Sequence, residues 1–128
     1  MHIELKALDS KALTALYKAL ERTKTLTSLR LRQVSIGDEG ATSIVKALAS
    51  HSALSRLELW RCDIGPEGAA ALTALLKQPA LVAFDLRHNK VGDAGAIAVA
   101  KELTANTHLE ELYLQHNAIG PEGARAIG

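Results

Sequence analysis

The chain repeats one sequence motif at a nearly constant interval, and this repetition limits the possible folds more than any other feature. Aligned units begin at Leu26, Leu54, Leu81 and Leu109. They open with LTSLRLRQVSIGDEGA, LSRLELWRCDIGPEGA, LVAFDLRHNKVGDAGA and LEELYLQHNAIGPEGA. One such unit is too short to hide its own apolar side. Successive units are therefore expected to stack and share a continuous core.

The start of the chain holds a degenerate copy of the same unit. Counted back by the interval between Leu54 and Leu26, four apolar pairs coincide: Ile3 with Leu31, Leu8 with Ile36, Leu16 with Ile44 and Leu20 with Leu48. We therefore predict a single domain over residues 1–128, with a degenerate N-terminal repeat or cap at 1–25. Full repeats are expected at 26–53, 54–80 and 81–108, and a truncated last repeat at 109–128.

Each unit predicts a short strand followed by a helix. Alternating apolar positions such as Leu57 and Leu59 are typical of a strand that buries one side. Pro66 and Pro121 indicate the first turns of two helices. The second Gly of each unit, with the Ala after it, suits a close approach of helix and strand. The first Gly is expected to take a positive φ where the chain leaves the strand, which applies to Gly37, Gly65, Gly92 and Gly120.

The motif L-x-x-L-x-L-x-x-[N/C]-x-[I/V]-G-x-x-G-A resembles leucine-rich repeats, of the kind found in ribonuclease inhibitor and NOD-like receptors. The resemblance implies an α/β solenoid with a curved parallel sheet on the concave side and helices on the convex side. It also implies that Asn89 and Asn117 bond the backbone of the turns and form an interior ladder. Cys62 is a familiar substitute at that position. Val34 is not, and we expect a water or a shifted backbone group to compensate there.

Composition argues against several classes of function. The formal net charge of +1 gives no overall attraction for nucleic acid or an acidic membrane, and aromatic residues make up only 3% of the chain. A lone Cys62 excludes a disulfide framework, and no secretory leader is visible, so we expect a cytoplasmic protein. Catalytic and phosphate-binding motifs are lacking. We predict no enzyme activity, cofactor or metal, and a structural rather than redox role for Cys62.

Stacking in register would align the solvent-facing strand positions into rows, with neighbours about 4.8 Å apart. The eighth positions bring His88 next to His116, for which exposed turn residues are a better interpretation than a metal site, because two ligands do not make a zinc site. The rows also place Trp60 at mid-sheet, with Arg32 and Arg87 on either side. We predict a partner-binding site made of Arg30, Arg32, Arg56, Glu58, Trp60, Arg61, Asp85, Arg87 and Tyr113.

Milder interpretations of the same rows stay open. Trp60 can instead pack flat on its own sheet against an Arg, for stability alone. The charges run from basic at one end to acidic at the other, which would orient a partner. The basic residues are Arg30, Arg32, Arg56 and Arg61, and the acidic ones are Asp85, Glu110 and Glu111. Alternatively, Arg30 with Glu58, and Arg56 with Glu111, can neutralise one another as solvated pairs.

The leading hypothesis is a non-enzymatic protein-binding module that uses the concave sheet. The sheet footprint is only roughly 400 Å², against about 800 Å² per partner in a standard interface. The alternative is therefore a structural or self-assembling fragment of a larger sensor or bacterial effector, which binds elsewhere or associates through an uncapped C-terminal end. Proteins with similar repeats also suggest action on a small GTPase, but no residue indicates it.

Overall fold

The computed structural model describes residues 2–6, 8–49 and 53–127. They form a parallel sheet whose strands lie in chain order, from β1 to β5. A helix follows each strand, and consecutive helices pack side by side on the convex face. The elements are β1 His2–Lys6, α1 Ser10–Arg22, β2 Ser28–Arg32, α2 Gly37–Leu48, β3 Arg56–Trp60, α3 Pro66–Leu72, β4 Ala83–Asp85, α4 Gly92–Leu103, β5 Glu111–Tyr113 and α5 Pro121–Ile127, with a 3₁₀ turn at Thr73–Lys77.

The core lies between the sheet and the helices. The inward strand positions Leu29, Leu31, Leu57 and Leu59 are fully buried, as are Ile44 and Leu48 on α2. Each buried Leu contributes roughly 1.5–3 kcal/mol of hydrophobic stabilisation. The stacked strands and helices thus confirm the predicted solenoid, because each unit buries its apolar side chains only by packing against its neighbours.

The register of β1 differs from the prediction. Ile3 pairs with Leu29 and Leu5 pairs with Leu31, so β1 is shifted along β2 from the alignment that the repeat interval predicts. The helices keep the interval of the repeat, since Leu16 and Leu20 are buried like Ile44 and Leu48. The first unit is therefore shorter between strand and helix. Pairing Ile3 with Leu31 was wrong, and Glu4 and Lys6 lie beside Arg30 and Arg32.

More residues have left-handed backbone than the glycine positions of the repeat predicted. Gly37 and Gly92 have φ of 65°, as expected, but Gly65 has φ of −96°. Gly120 is not among the positive-φ residues either, and Asp63 and Ala118 turn the chain in those two units. The eighth position is left-handed in every full or partial repeat after the first unit, at Gln33, Arg61, His88 and His116. Because it recurs, this conformation belongs to the turn of the repeat and is not strain peculiar to one site.

Helix starts are tied to the preceding repeat. The Asp38 carboxylate accepts a hydrogen bond of 2.7 Å from the Gly65 N–H, and Asp93 accepts one of 2.6 Å from Gly120. A Cβ at Gly68 would lie 2.5 Å from Asp38 Oδ1. A Cβ at Gly95 would lie 3.3 Å from the Ala69 side chain of the neighbouring helix. The second Gly of the unit therefore permits close approach between adjacent helices, which corrects the expected approach of helix to strand.

The asparagine ladder is present. Asn89 Oδ1 accepts hydrogen bonds from the N–H groups of Cys62 (2.9 Å) and Ile64 (3.0 Å). Its amide nitrogen donates to the carbonyls of Leu59 (2.7 Å) and Leu86 (2.9 Å). Asn117 makes the same type of bonds one unit later. The ladder thus ties successive turns together in the buried interior.

Cys62 fills the same position with a thiol. Its Sγ lies 3.4 Å from the carbonyl oxygen of Leu31, and burial raises the pKa of the thiol to about 12. A buried, protonated thiol is a poor nucleophile and serves here as a weak donor. Cys62 thus bonds the preceding unit from the position at which Asn89 and Asn117 use their amides. The compensation expected at Val34 itself stays a prediction.

A second polar ladder, which sequence reasoning missed, lies where helices lead into strands. The Gln78 amide donates to the Leu48 carbonyl at 2.8 Å, and the Asn106 amide donates to the Leu76 carbonyl at 2.8 Å. Gln78 and Asn106 occupy equivalent positions in successive units, so this ladder follows the repeat. In the sequence, the only indication of this second ladder is an amide side chain at equivalent positions of two units.

Candidate binding surface

The concave face holds an open groove of about 570 Å³ across the sheet. Six of the nine predicted binding residues line it: Arg30, Arg32, Glu58, Trp60, Asp85 and Arg87. The other three, Arg56, Arg61 and Tyr113, contact these residues or their partners from beside the groove. Sequence reasoning left four lining residues out of the site, namely Glu4, His88, Gln115 and His116.

Trp60 lies at mid-sheet and is partly exposed, as predicted. The Arg32 guanidinium lies 4.8 Å from the ring centroid and that of Arg61 lies 5.0 Å away. The His88 ring meets the indole edge-on, with centroids 5.2 Å apart. Arg61 thus holds the place beside the indole that was predicted for Arg87. Cation–π and aromatic contacts therefore favour this orientation of the indole in the absence of a partner.

Three arginines of this face are tied to carboxylates. Arg30 pairs with Glu58 on the adjacent strand. Arg56 Nη2 lies 2.8 Å from Glu111 Oε2, across the small side chain of Ala83. These two pairs confirm the expected neutralisation within the sheet.

The third pair corrects the predicted exposure of Asp85. Its side chain shows only 2% of its surface to solvent, although it lies on the concave face. The Arg87 guanidinium covers it, with Nη2 at 2.6 Å from Oδ2 and Nε at 3.1 Å from Oδ1. The Arg87 backbone N–H donates to the same carboxylate at 2.9 Å. Asp85 therefore cannot meet a partner directly and acts by positioning Arg87.

Tyr113 is held by the same network. Its hydroxyl donates to Glu111 Oε1 at 2.7 Å, and the Arg87 guanidinium lies 4.9 Å from its ring centroid. The hydrogen bond from Tyr113, with the charge of Arg56, lowers the pKa of Glu111. Accepting that bond, Glu111 raises the pKa of Tyr113. Glu111 is thus held in a closed network with Arg56 and Tyr113, while Glu110 beside it is exposed and makes no described ion pair.

His88 and His116 stack, with ring centroids 4.3 Å apart and planes 14° from parallel. Partial desolvation lowers the pKa of His88, and the nearby charges of His116, Arg61 and Arg87 lower it further. Within residues 2–6, 8–49 and 53–127, no three His, Cys, Asp or Glu side chains are grouped so as to hold a metal ion. The described helices are also all too short or too polar to cross a bilayer.

A parallel-sheet solenoid with an open, side-chain-rich concave face defines a class of repeat proteins that contact other molecules by surface rather than by an enclosed pocket. A profile of the leucine-rich repeat family matches residues 24–45, 52–72, 78–100 and 105–128. The chain belongs to the leucine-rich repeat family.

Comparison with solved structures supports the same fold. The chain is similar to a structure titled leiomodin-1 actin-binding site 2, with a TM-score of 0.78 and 22% sequence identity. The match covers 98% of this chain and 73% of that one. A search among curated proteins found no match.

Proposed function

We propose that this protein is a non-enzymatic interaction module that binds a protein partner through its concave face. The surface comprises Arg30, Arg32, Arg56, Glu58, Trp60, Arg61, Arg87 and Tyr113, with Asp85 beneath it as a positioning residue. The observation that carries the proposal is Trp60, which is partly exposed and in contact with the guanidinium groups of Arg32 and Arg61. Trp and Arg are the residue types most enriched at interface hot spots, and a rigid anchor loses little entropy on binding.

The solved neighbour is consistent with this class of function. Its title names an actin-binding site, so a solenoid of this shape serves protein recognition in that protein. In the present chain a net charge of +1 favours a protein partner over nucleic acid or membrane. We also propose the ribonuclease-inhibitor-like subtype, from the unit lengths and the Asn/Cys ladder. A cytoplasmic location would suit the free thiol of Cys62.

The test uses two double variants that are matched in charge and that each remove one apolar side chain and one cation. Trp60→Ala with Arg32→Ala removes the anchor from the concave face. Ile97→Ala with Lys101→Ala removes one apolar side chain and one exposed cation from α4 on the opposite side. A partner captured from the source extract would be identified, purified and titrated by calorimetry against both variants.

We expect the concave variant to weaken binding by about tenfold or more, because hot-spot truncations cost 2 kcal/mol or more, roughly. The α4 variant should bind like the parent chain. Circular dichroism would confirm that both are folded. Equal affinity of the two variants would show that the partner binds elsewhere.

One further observation favours self-association as a second candidate. In the described residues β5 is paired on one side only, and Leu112 and Leu114 are partly exposed whereas the equivalent Leu57 and Leu59 are fully buried. An unpaired strand edge with apolar neighbours is a template for a second chain. Light scattering at micromolar concentration distinguishes the two candidates. A monomer would contradict self-association and would leave binding through the concave face unaffected.

A further inference from the structure

The arginines of the concave face divide into two groups. Arg30, Arg56 and Arg87 are each paired with a carboxylate of the same sheet. Across the described part of the chain, Arg32 and Arg61 have no such partner, although both lie against Trp60. The charge gradient expected along the sheet is thereby changed: Asp85 and Glu111 at the acidic end are paired within the sheet, and positive charge without a described carboxylate partner gathers around the indole.

The corrected register of β1 adds a third cation to this group. Lys6 lies directly beside Arg32 in the sheet and is exposed. Lys6, Arg32 and Trp60 therefore occupy adjacent strands at the same level, about 4.8 Å apart from one strand to the next. Arg61 follows Trp60 in the chain, and its guanidinium lies 5.0 Å from the ring centroid. We call Lys6, Arg32 and Arg61 the cation row.

The His88 ring touches the edge of the indole. Desolvation lowers the pKa of His88, and the charges of His116, Arg61 and Arg87 lower it further, whereas Asp85 raises it. The lowered pKa favours the neutral form of His88, so the positive charge beside the indole comes mainly from the cation row. Unpaired guanidinium groups are donors without acceptors, and a carboxylate can satisfy each of them with two parallel hydrogen bonds.

We propose that the segment recognised on the concave face is an acidic peptide stretch, whose carboxylates pair with the cation row while its backbone or apolar side chains lie on Trp60. This inference rests on the proposed function and names the chemistry of its partner. The opposite end of the sheet contributes Tyr113 and the closed Glu111 network, which offer no free charge. An acidic stretch is therefore oriented with its charged part toward β1–β3.

The same surface is poorly suited to a nucleic acid backbone. Glu4 lines the groove, is exposed and pairs with no Lys or Arg in the described residues, so it would repel a continuous run of phosphates. In the described residues Trp60 is the only indole on the face, which is too little for stacking successive bases. Isolated carboxylates on a peptide can match the three cations and avoid Glu4.

The experiment uses short synthetic peptides as probes and the full chain. One peptide alternates Glu with Ser, a second replaces each Glu by Gln, and a third replaces each Glu by Lys. A single-stranded oligo-dT of similar length is the fourth probe. Binding is measured by calorimetry and by the fluorescence of Trp60, the only Trp in the chain.

We expect the Glu peptide to bind at least about tenfold more tightly than the Gln and Lys peptides, with an affinity that falls as salt is added. Arg32→Glu with Arg61→Glu should abolish this preference. Arg22→Glu with Arg125→Glu is the matched control, because it makes the same charge change at two exposed helix positions without described ion pairs. It should leave binding within about twofold of the parent.

Three results would overturn the inference: no preference for the Glu peptide, equal loss in both double variants, or tighter binding of oligo-dT. Each can be told apart from failure of the proposed function. If Trp60→Ala with Arg32→Ala still disrupts the natural partner while the Glu peptide shows no preference, the concave site stands and only its acidic chemistry is wrong. If that variant leaves the natural partner bound, the proposed function itself fails.

Discussion

Asn89 shows how a single side chain holds two repeats together. Its amide accepts hydrogen bonds from two N–H groups of the preceding turn and donates to two carbonyls. The residue is only 8% exposed, which is too little for solvent to replace these bonds. A buried backbone group without a partner costs about 1–3 kcal/mol. The ladder therefore matters less for the bonds it adds than for the orphaned groups it prevents.

Asn89→Ala should lower the free energy of unfolding by about 3 kcal/mol, because it leaves buried donors and acceptors together without partners. Urea denaturation measures this directly. Gln115→Ala, at an exposed position near the end of β5, is the control and should change stability by less than about 0.5 kcal/mol. Similar midpoints for the two variants would contradict the structural role given to Asn89.

At this scale the sequence predicted the partial exposure of Trp60 and the ladder position of Asn89, because both follow from repeat register. It did not predict that Asp85 is buried. Alternation places Asp85 on the concave face, but its exposure depends on where the Arg87 side chain lies, and periodicity carries no information on that. Because Arg87 covers the buried Asp85 carboxylate, Arg87→Ala would leave that carboxylate unpaired and is a poor probe of binding.

At the scale of the elements, the start of each helix depends on the repeat before it. Asp38 and Asp93 lie in the first turns of α2 and α4. Their side chains also accept hydrogen bonds from the N–H groups of Gly65 and Gly120 in the next unit. Asp93 receives a second bond of 3.1 Å from Gly123. These carboxylates satisfy free N–H groups at a positive helix end, as an N-cap does, but from a neighbouring repeat.

Asp38→Ala should lower the free energy of unfolding by about 1 kcal/mol, whereas Asp38→Asn, which keeps an acceptor, should lose less. Glu39→Ala removes a carboxylate from the same first turn and is the control; in the described residues its side chain accepts no bond from α3. Chemical denaturation of the three variants provides the test. An effect of Glu39→Ala as large as that of Asp38→Ala would show that charge at the helix end, and not this specific bond, is what counts.

The sequence predicted most elements well and their connections less well. Helix starts at Pro66 and Pro121 are confirmed, because Pro favours the first turn. The β1 register was missed because an alignment at a constant interval cannot show that the first unit is shortened between its strand and its helix. Left-handed Asp63 and Ala118 were missed because the glycine two residues further on was the expected left-handed residue in each unit.

At the scale of the whole molecule, stacking converts a repeated motif into a continuous face. Equivalent side chains lie side by side on five described strands, so residues far apart in the chain, such as Arg56 and Glu111, become ion-pair partners. The general architecture was predictable from the repeat alone. The internal pairing that leaves Lys6, Arg32 and Arg61 free was not, since it depends on which of several nearby carboxylates each cation reaches.

The central claim is that Trp60 lies open on the concave face among unpaired cations. Quenching of its fluorescence tests this directly, because no other Trp contributes. Iodide should quench more effectively than caesium, since cations attract the anion and repel the other ion, and the difference should shrink in Arg32→Gln with Arg61→Gln. A Trp60 that neither ion reaches, or that caesium quenches as well as iodide, would contradict the account.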